Sequence, residues 1–140
     1  MNKFFLGLGI IIIVTAAVLI VFGQPSTSNN QSSADTTWHT DLNSALQDAK
    51  NSDKPIFIDF YADWCSYCKE LNESTLSDPN VKKKLSQDYI TVDINTDQNP
   101  DLASQYKIYN LPTVVILNSN GQEIKRQERY MSADELLNWL

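Results

Sequence analysis

The sequence is poor in the residues that build metal centres and basic interfaces. It has two cysteines and one histidine in 140 residues, fewer than the roughly four ligands of a structural zinc site. The histidine, His39, lies far from the cysteines and reads as an exposed residue beside Trp38, so no metal site is expected. Lysine and arginine number 11 against 17 acidic residues, a formal charge of −6. That balance argues against nucleic-acid binding, which needs a basic face. No internal repeat is present. Two local absences matter more: no charged residue interrupts Phe4 to Phe22, and no Lys or Arg occurs between Lys3 and Lys50.

What fills the first gap is FFLGLGIIIIVTAAVLIVF, about nineteen residues and long enough at about 1.5 Å per residue to cross a hydrocarbon core. Thr15-Ala16-Ala17 mimics a signal-peptidase site, but apolar residues continue past it to Phe22. The run exceeds the about 7–15 residues of a signal-peptide core, which favours a single transmembrane anchor over a signal peptide. Lys3 on the near side and no Lys or Arg on the far side until Lys50 put the N-terminus in the cytoplasm and the rest outside, at a cell membrane. Residues 1–22 are therefore read as stub and anchor. Gly23 to Thr37, rich in Ser, Asn, Gln and Thr, cannot bury enough surface to order itself and is read as a tether. Residues 38–140 are the size of one domain.

Within the domain, Leu42, Ala45, Leu46 and Ala49 recur at helical spacing behind the capping candidates Thr40 and Asp41. The run from Ile56 to Tyr61 reads as a buried strand with one charge, Asp59, at its centre. Cys65 to about Glu73 reads as a helix, and Asp78-Pro79 opens another to about Leu85. Tyr89 to Ile94 is a strand, Pro100 to Tyr106 a helix, and Thr113 to Leu117 a strand. The Asn-Gly signal at 120–121 predicts antiparallel pairing with Glu123 to Glu128, and a last helix follows Ser132. This order implies an α/β fold, a central mixed sheet flanked by helices.

Both cysteines lie in FYADWCSYCKE, at Cys65 and Cys68. A disulfide between them closes too short a loop to stabilise the fold much. A reactive role fits the surroundings better. Cys65, where a strand gives way to a helix, meets unpaired N–H groups and a dipole that favour a thiolate, so it is expected to be the exposed nucleophile. Cys68, one turn inward, can resolve a mixed disulfide. The two sulfurs carry the electrons and no cofactor is needed. Asp59, buried, can take or return the proton of Cys68; alternatively it caps a buried backbone donor and is chemically silent.

IDFYADWCSYCK, TDQNPDLASQYKIYNLPT and LNSNGQE together resemble the thioredoxin family over nearly all of residues 38–140. With SDPNV after the dithiol, the chain looks most like the C-terminal thioredoxin-like domain of the membrane disulfide reductase DsbD. The resemblance implies a nucleophile at Cys65, a resolving Cys68, a buried acid at Asp59, and a cis peptide between Leu111 and Pro112. It also implies substrate contacts at Trp64, Ser66, Tyr67, Leu111 and Pro112, with Trp64 covering the site. It differs in carrying Ser66-Tyr67 where thioredoxins have Gly-Pro, and Arg129 where a glycine is usual. Asp93 stands where a lysine often neighbours the acid. Pointing inward, Asp93 would raise one carboxyl's pKa; facing solvent, it would do nothing. The expected function is a membrane-anchored extracytoplasmic oxidoreductase that reduces disulfides of partner proteins and is recharged by a membrane electron donor of the DsbD or CcdA kind. Oxidase or isomerase activity, or a non-catalytic binding module on the same fold, are the alternatives.

Overall fold

The computed structural model describes residues 36–140. The expected anchor and nearly all of the expected tether lie outside the described residues, and among those described no helix is long and apolar enough to cross a membrane. The elements are β1 (Trp38–His39), α1 (Leu42–Ser52), β2 (Ile56–Tyr61), α2 (Ser66–Glu70), a π-helical turn (Leu71–Leu76), α3 (Pro79–Asp88), β3 (Ile90–Asn95), α4 (Pro100–Gln105), β4 (Thr113–Leu117), β5 (Glu123–Gln127) and α5 (Ala133–Trp139). They form a five-stranded sheet in the order β1-β3-β2-β4-β5. β2 is parallel to β3 and antiparallel to β4, which makes the sheet mixed, as its sequence pattern implies.

Side chains alternate across a strand, so the central strands feed two cores. Ile56, Ile58 and Phe60 of β2 join Val92, Ile94, Val115 and Leu117 beneath α1. Phe57, Val114 and Ile116 point the other way, to Leu71, Leu76, Leu85 and Leu136 of the helices on the second face. Asp59 belongs to that second set by parity. It sits opposite Asp93 on one side and Val114 on the other.

Helix starts follow local chemistry. Asp41 accepts a hydrogen bond from the Ser44 N–H at 2.9 Å, and Asp78 caps α3 with Pro79 in its first turn, where a missing N–H costs nothing. Ser132 and Glu135 form a reciprocal capping box at the start of α5. Three features depart from the sequence pattern. β1 is a two-residue parallel strand, too short for any periodicity. His39, expected to be exposed, is half-buried, its ring 3.3 Å from Asp48 and 3.4 Å from the Ser44 hydroxyl. The β4–β5 turn is longer than a two-residue hairpin: Asn118 organises it by accepting from the N–H groups of Asn120 and Gln122, and Gly121 takes φ +83°, where a side chain would be strained.

Candidate active site

β2 ends at Tyr61, and the chain turns through Ala62, Asp63 and Trp64 into α2. The turn is fixed by the Cys65 N–H, which donates to the Ala62 carbonyl at 3.1 Å. Cys65 is the N-cap of the helix rather than its first residue: its backbone is extended, and its Sγ accepts from the Cys68 N–H at 3.1 Å. A cap residue normally satisfies one of the orphan donors of the first turn through an oxygen; here a sulfur does so. Cys65 and Cys68 are joined as a disulfide, with Cα atoms 5.3 Å apart.

The expectation of an exposed Cys65 is corrected. Cys65 is 6% exposed and Cys68 4%, because the disulfide packs with Ala62 against Tyr61 and Leu111. The helix also runs past the expected Glu73, continuing from Leu71 to Leu76 as a π-helical turn, a form that often marks functional sites. Trp64, expected to cover the site, is 72% exposed. Its indole N–H donates to Asp97 at 3.0 Å, a contact between segments 33 residues apart that no local pattern reveals.

The Leu111–Pro112 peptide is cis, as the resemblance implies, and Leu111 lies against the dithiol. Beside it runs a groove lined by Tyr67, Asn110, Leu111, Pro112, Arg129 and Tyr130, among others. Tyr67 is largely exposed and its ring lies 6.5 Å from that of Tyr130. Arg129, which lines the groove, donates to the Tyr130 carbonyl and to Glu135. Ser66 is exposed at the first turn of the helix.

Behind the dithiol, Asp59 is 4% exposed, and its Oδ1 has no hydrogen-bond partner among the described residues. It shares a cavity of about 330 Å³ with Cys68, Lys69, Asn72, Tyr61 and Asp93. Burial, with the neighbouring Asp93 charge adding to it, lifts the Asp59 carboxyl to about 7. Asp93 faces the same cavity rather than open solvent, and burial raises its carboxyl too. Of the two orientations the sequence leaves open, the inward one is realised. The capping role for Asp59 is not seen at Oδ1, which finds no donor. Asn72 and Asp97 are site neighbours that sequence reasoning missed; Asn72 was legible one helical turn beyond Cys68, Asp97 was not.

Residues 42–140 match the family model described as "Thioredoxin-like domain". The chain belongs to the thioredoxin-like family. It is 37% identical over 125 residues to the thiol:disulfide interchange protein DsbD of Salmonella typhimurium, covering 81% of this chain and 22% of that protein. To DsbD of Escherichia coli strain K12 it is 35% identical over 126 residues, with the same coverages, 81% and 22%. The thioredoxin-like chain thus spans about a fifth of the length of these relatives. Among solved structures, it is similar to the oxidised C-terminal domain of Neisseria meningitidis DsbD, with TM-score 0.62, 28% identity, and coverage of 74% of this chain and 96% of that one. A thioredoxin from Thermus thermophilus shares the fold with TM-score 0.67 at 24% identity, covering 74% of this chain and 84% of that one. With its CxxC disulfide, the domain is a thioredoxin-like oxidoreductase.

Proposed function

We propose that this chain is a membrane-anchored, extracytoplasmic thiol:disulfide reductase of partner proteins. The observation that carries the reading is the Cys65–Cys68 disulfide at a helix start, with the sulfur of Cys65 holding the Cys68 N–H. In the reduced domain that N–H stabilises negative charge on Cys65, which makes Cys65 the attacking thiolate. It forms a mixed disulfide with the partner; Cys68 then attacks Cys65 and releases the reduced partner. Asp59, in the cavity that Cys68 lines, is the acceptor for the Cys68 proton. A carboxyl near 7 suits proton transfer at neutral pH.

Partner segments dock in the groove beside Leu111 and Pro112, against Tyr67, and also contact the exposed Trp64 and Ser66. The domain is residues 38–140, carried on the 23–37 tether by the 1–22 anchor; the uncharged run Phe4 to Phe22 and the similarity to DsbD support that arrangement. Outside the cytoplasm no soluble reducing pool is assured, so the dithiol is recharged by a membrane electron donor of the DsbD or CcdA kind.

A second reading, disulfide donation, draws on the same Cys68 N–H contact, since strong stabilisation of the reduced form makes an oxidant. Equilibration in dithiothreitol or glutathione buffers separates the two. A dithiol potential of about −270 mV or lower fits a reductant, whereas about −120 mV overturns it in favour of an oxidase.

A further inference from the structure

Asp59 has a companion that this scheme leaves unused. Residues opposite each other on parallel strands point to the same face, and Asp93 of β3 is opposite Asp59 of β2. Each carries one buried carboxylate oxygen, Oδ1, without a hydrogen-bond partner among the described residues. Both line the cavity that reaches Cys68, and both line an adjoining cavity of about 320 Å³ bounded by Thr36, Ser77 and Lys82. Asn72 is common to the two. None of these residues lines the groove beside Leu111 and Pro112. Among the described residues, the acids therefore line cavities at the Cys68–Asn72 side of the helix, while the groove lies at the Tyr67 side.

Two adjacent desolvated carboxylates resist ionising together, and they titrate as a pair. We propose that Asp59 and Asp93 hold one proton between them and serve as the proton port of the dithiol, open to water while a partner occupies the groove. Asp93 is the positioning residue, acting on the dithiol through Asp59. The inference rests on the exchange chemistry proposed above but not on its direction.

In the resolving step the Cys68 thiol gives its proton to the ionised carboxylate of the pair. Its sulfur bonds to Cys65, the bond from Cys65 to the partner breaks, and the electron pair leaves on the partner's sulfur, which takes a proton from solvent. Two electrons have moved from the two cysteines to the partner. The doubly protonated pair then releases one proton to water through the adjoining cavity. In the reverse reaction the pair returns it. The other titratable groups facing the two cavities are Tyr61 and Asp63 at the end of β2, Lys69 of α2 and Lys82 of α3. The ion pairs among the described residues involve neither Asp59 nor Asp93. Burial and the Asp93 charge raise Asp59, and burial raises Asp93, which agrees with a retained proton.

The test is a carboxyl-carbon NMR titration of the oxidised full-length chain in detergent solution, from about pH 4 to about pH 9. Wild type should lose the pair's two protons in steps separated by more than about one pH unit. In Asp93→Asn the Asp59 midpoint should fall by about one pH unit, and the midpoint of the exchange rate against glutathione disulfide should fall with it. Asp93→Glu should restore the two steps, which a merely structural role would not require. An Asp59 midpoint unchanged in Asp93→Asn, with Asp93 titrating in the ordinary carboxylate range, overturns the proposal. A two-step titration in a chain that reduces no protein disulfide upholds the pair and overturns the reductase reading.

Discussion

Replacing Asp59 by Asn should stabilise this protein, and by an amount that depends on pH. A carboxyl raised on folding keeps its proton in the native chain after the unfolded chain has lost it. The native state then binds more protons, so stability falls as pH rises. The contribution of Asp59 is whole below its ordinary value of 3.8, declines above it, and is gone once pH passes about 7. At about 1.36 kcal/mol per pH unit, that difference corresponds to about 4 kcal/mol in all, of which about 3 kcal/mol falls between about pH 5 and about pH 8.5. Asparagine keeps the volume and removes the charge. Urea unfolding of the oxidised protein, followed by tryptophan fluorescence, reads this directly, because Trp38 packs edge-on to Phe57 at 5.9 Å. Wild type should lose about 3 kcal/mol over that range relative to Asp59→Asn, and the variant should be the more stable at the alkaline end. Asp41, Glu123 and Glu135 are shifted downward. Their contributions are lost only in acid below this window, and the comparison with the variant cancels them; Asp93, raised by burial, titrates with Asp59 and is part of what the comparison reads. If Asp59→Asn is no more stable than wild type at about pH 8.5, the raised carboxyl is refuted, and with it the cavity's role as a desolvated site.

Further outcomes follow from the same geometry. Cys68→Ser should accumulate mixed disulfides with partner proteins on non-reducing gels, cleared by dithiothreitol, while Cys65→Ser forms none; the opposite pattern would exchange the roles of the two cysteines. Tyr67→Ala should raise KM for a protein disulfide several-fold and leave turnover of a small aromatic disulfide nearly unchanged, measured side by side, since on the proposed docking only the protein substrate fills the groove. Ser132→Ala removes the acceptor for the Glu135 N–H at 3.3 Å and should lower stability by about 1 kcal/mol, with no change in dithiol potential.

The dithiol and the acid were legible in the sequence because their signals are local. Two cysteines one helical turn apart at a strand-to-helix junction, and a lone charge inside IFIDFY, state their chemistry within a dozen residues. What the sequence left open or did not reveal is what pairing decides. β3 reads Ile-Thr-Val-Asp-Ile-Asn. Its polar alternate set suits solvent as well as an inner face, and only registry with β2 sets Asp93 against Asp59. The Trp64–Asp97 bond and the burial of Cys65 under Leu111 likewise depend on chain segments far apart in sequence. The π-helical turn at Leu71–Leu76 has no breaker residue to announce it.

The two carboxylates connect these levels. On the second face of the sheet Phe57, Val114 and Ile116 are buried apolar side chains, and each adds stability. At Asp59 and Asp93 the same face keeps two acids, each with a buried Oδ1 that finds no hydrogen-bond partner among the described residues, a placement that burial makes costly. In the proposed role, their cost and their use are one physical quantity. The desolvation that destabilises an ionised Asp59 is what brings its carboxyl to about 7, where it exchanges a proton most readily near neutral pH. The variant that gains stability at alkaline pH should therefore be the one that loses the pH-dependent proton transfer. Should Asp59→Asn gain the stability and keep wild-type exchange rates across the same pH range, the acid is a structural burden alone and the proton leaves Cys68 by another route.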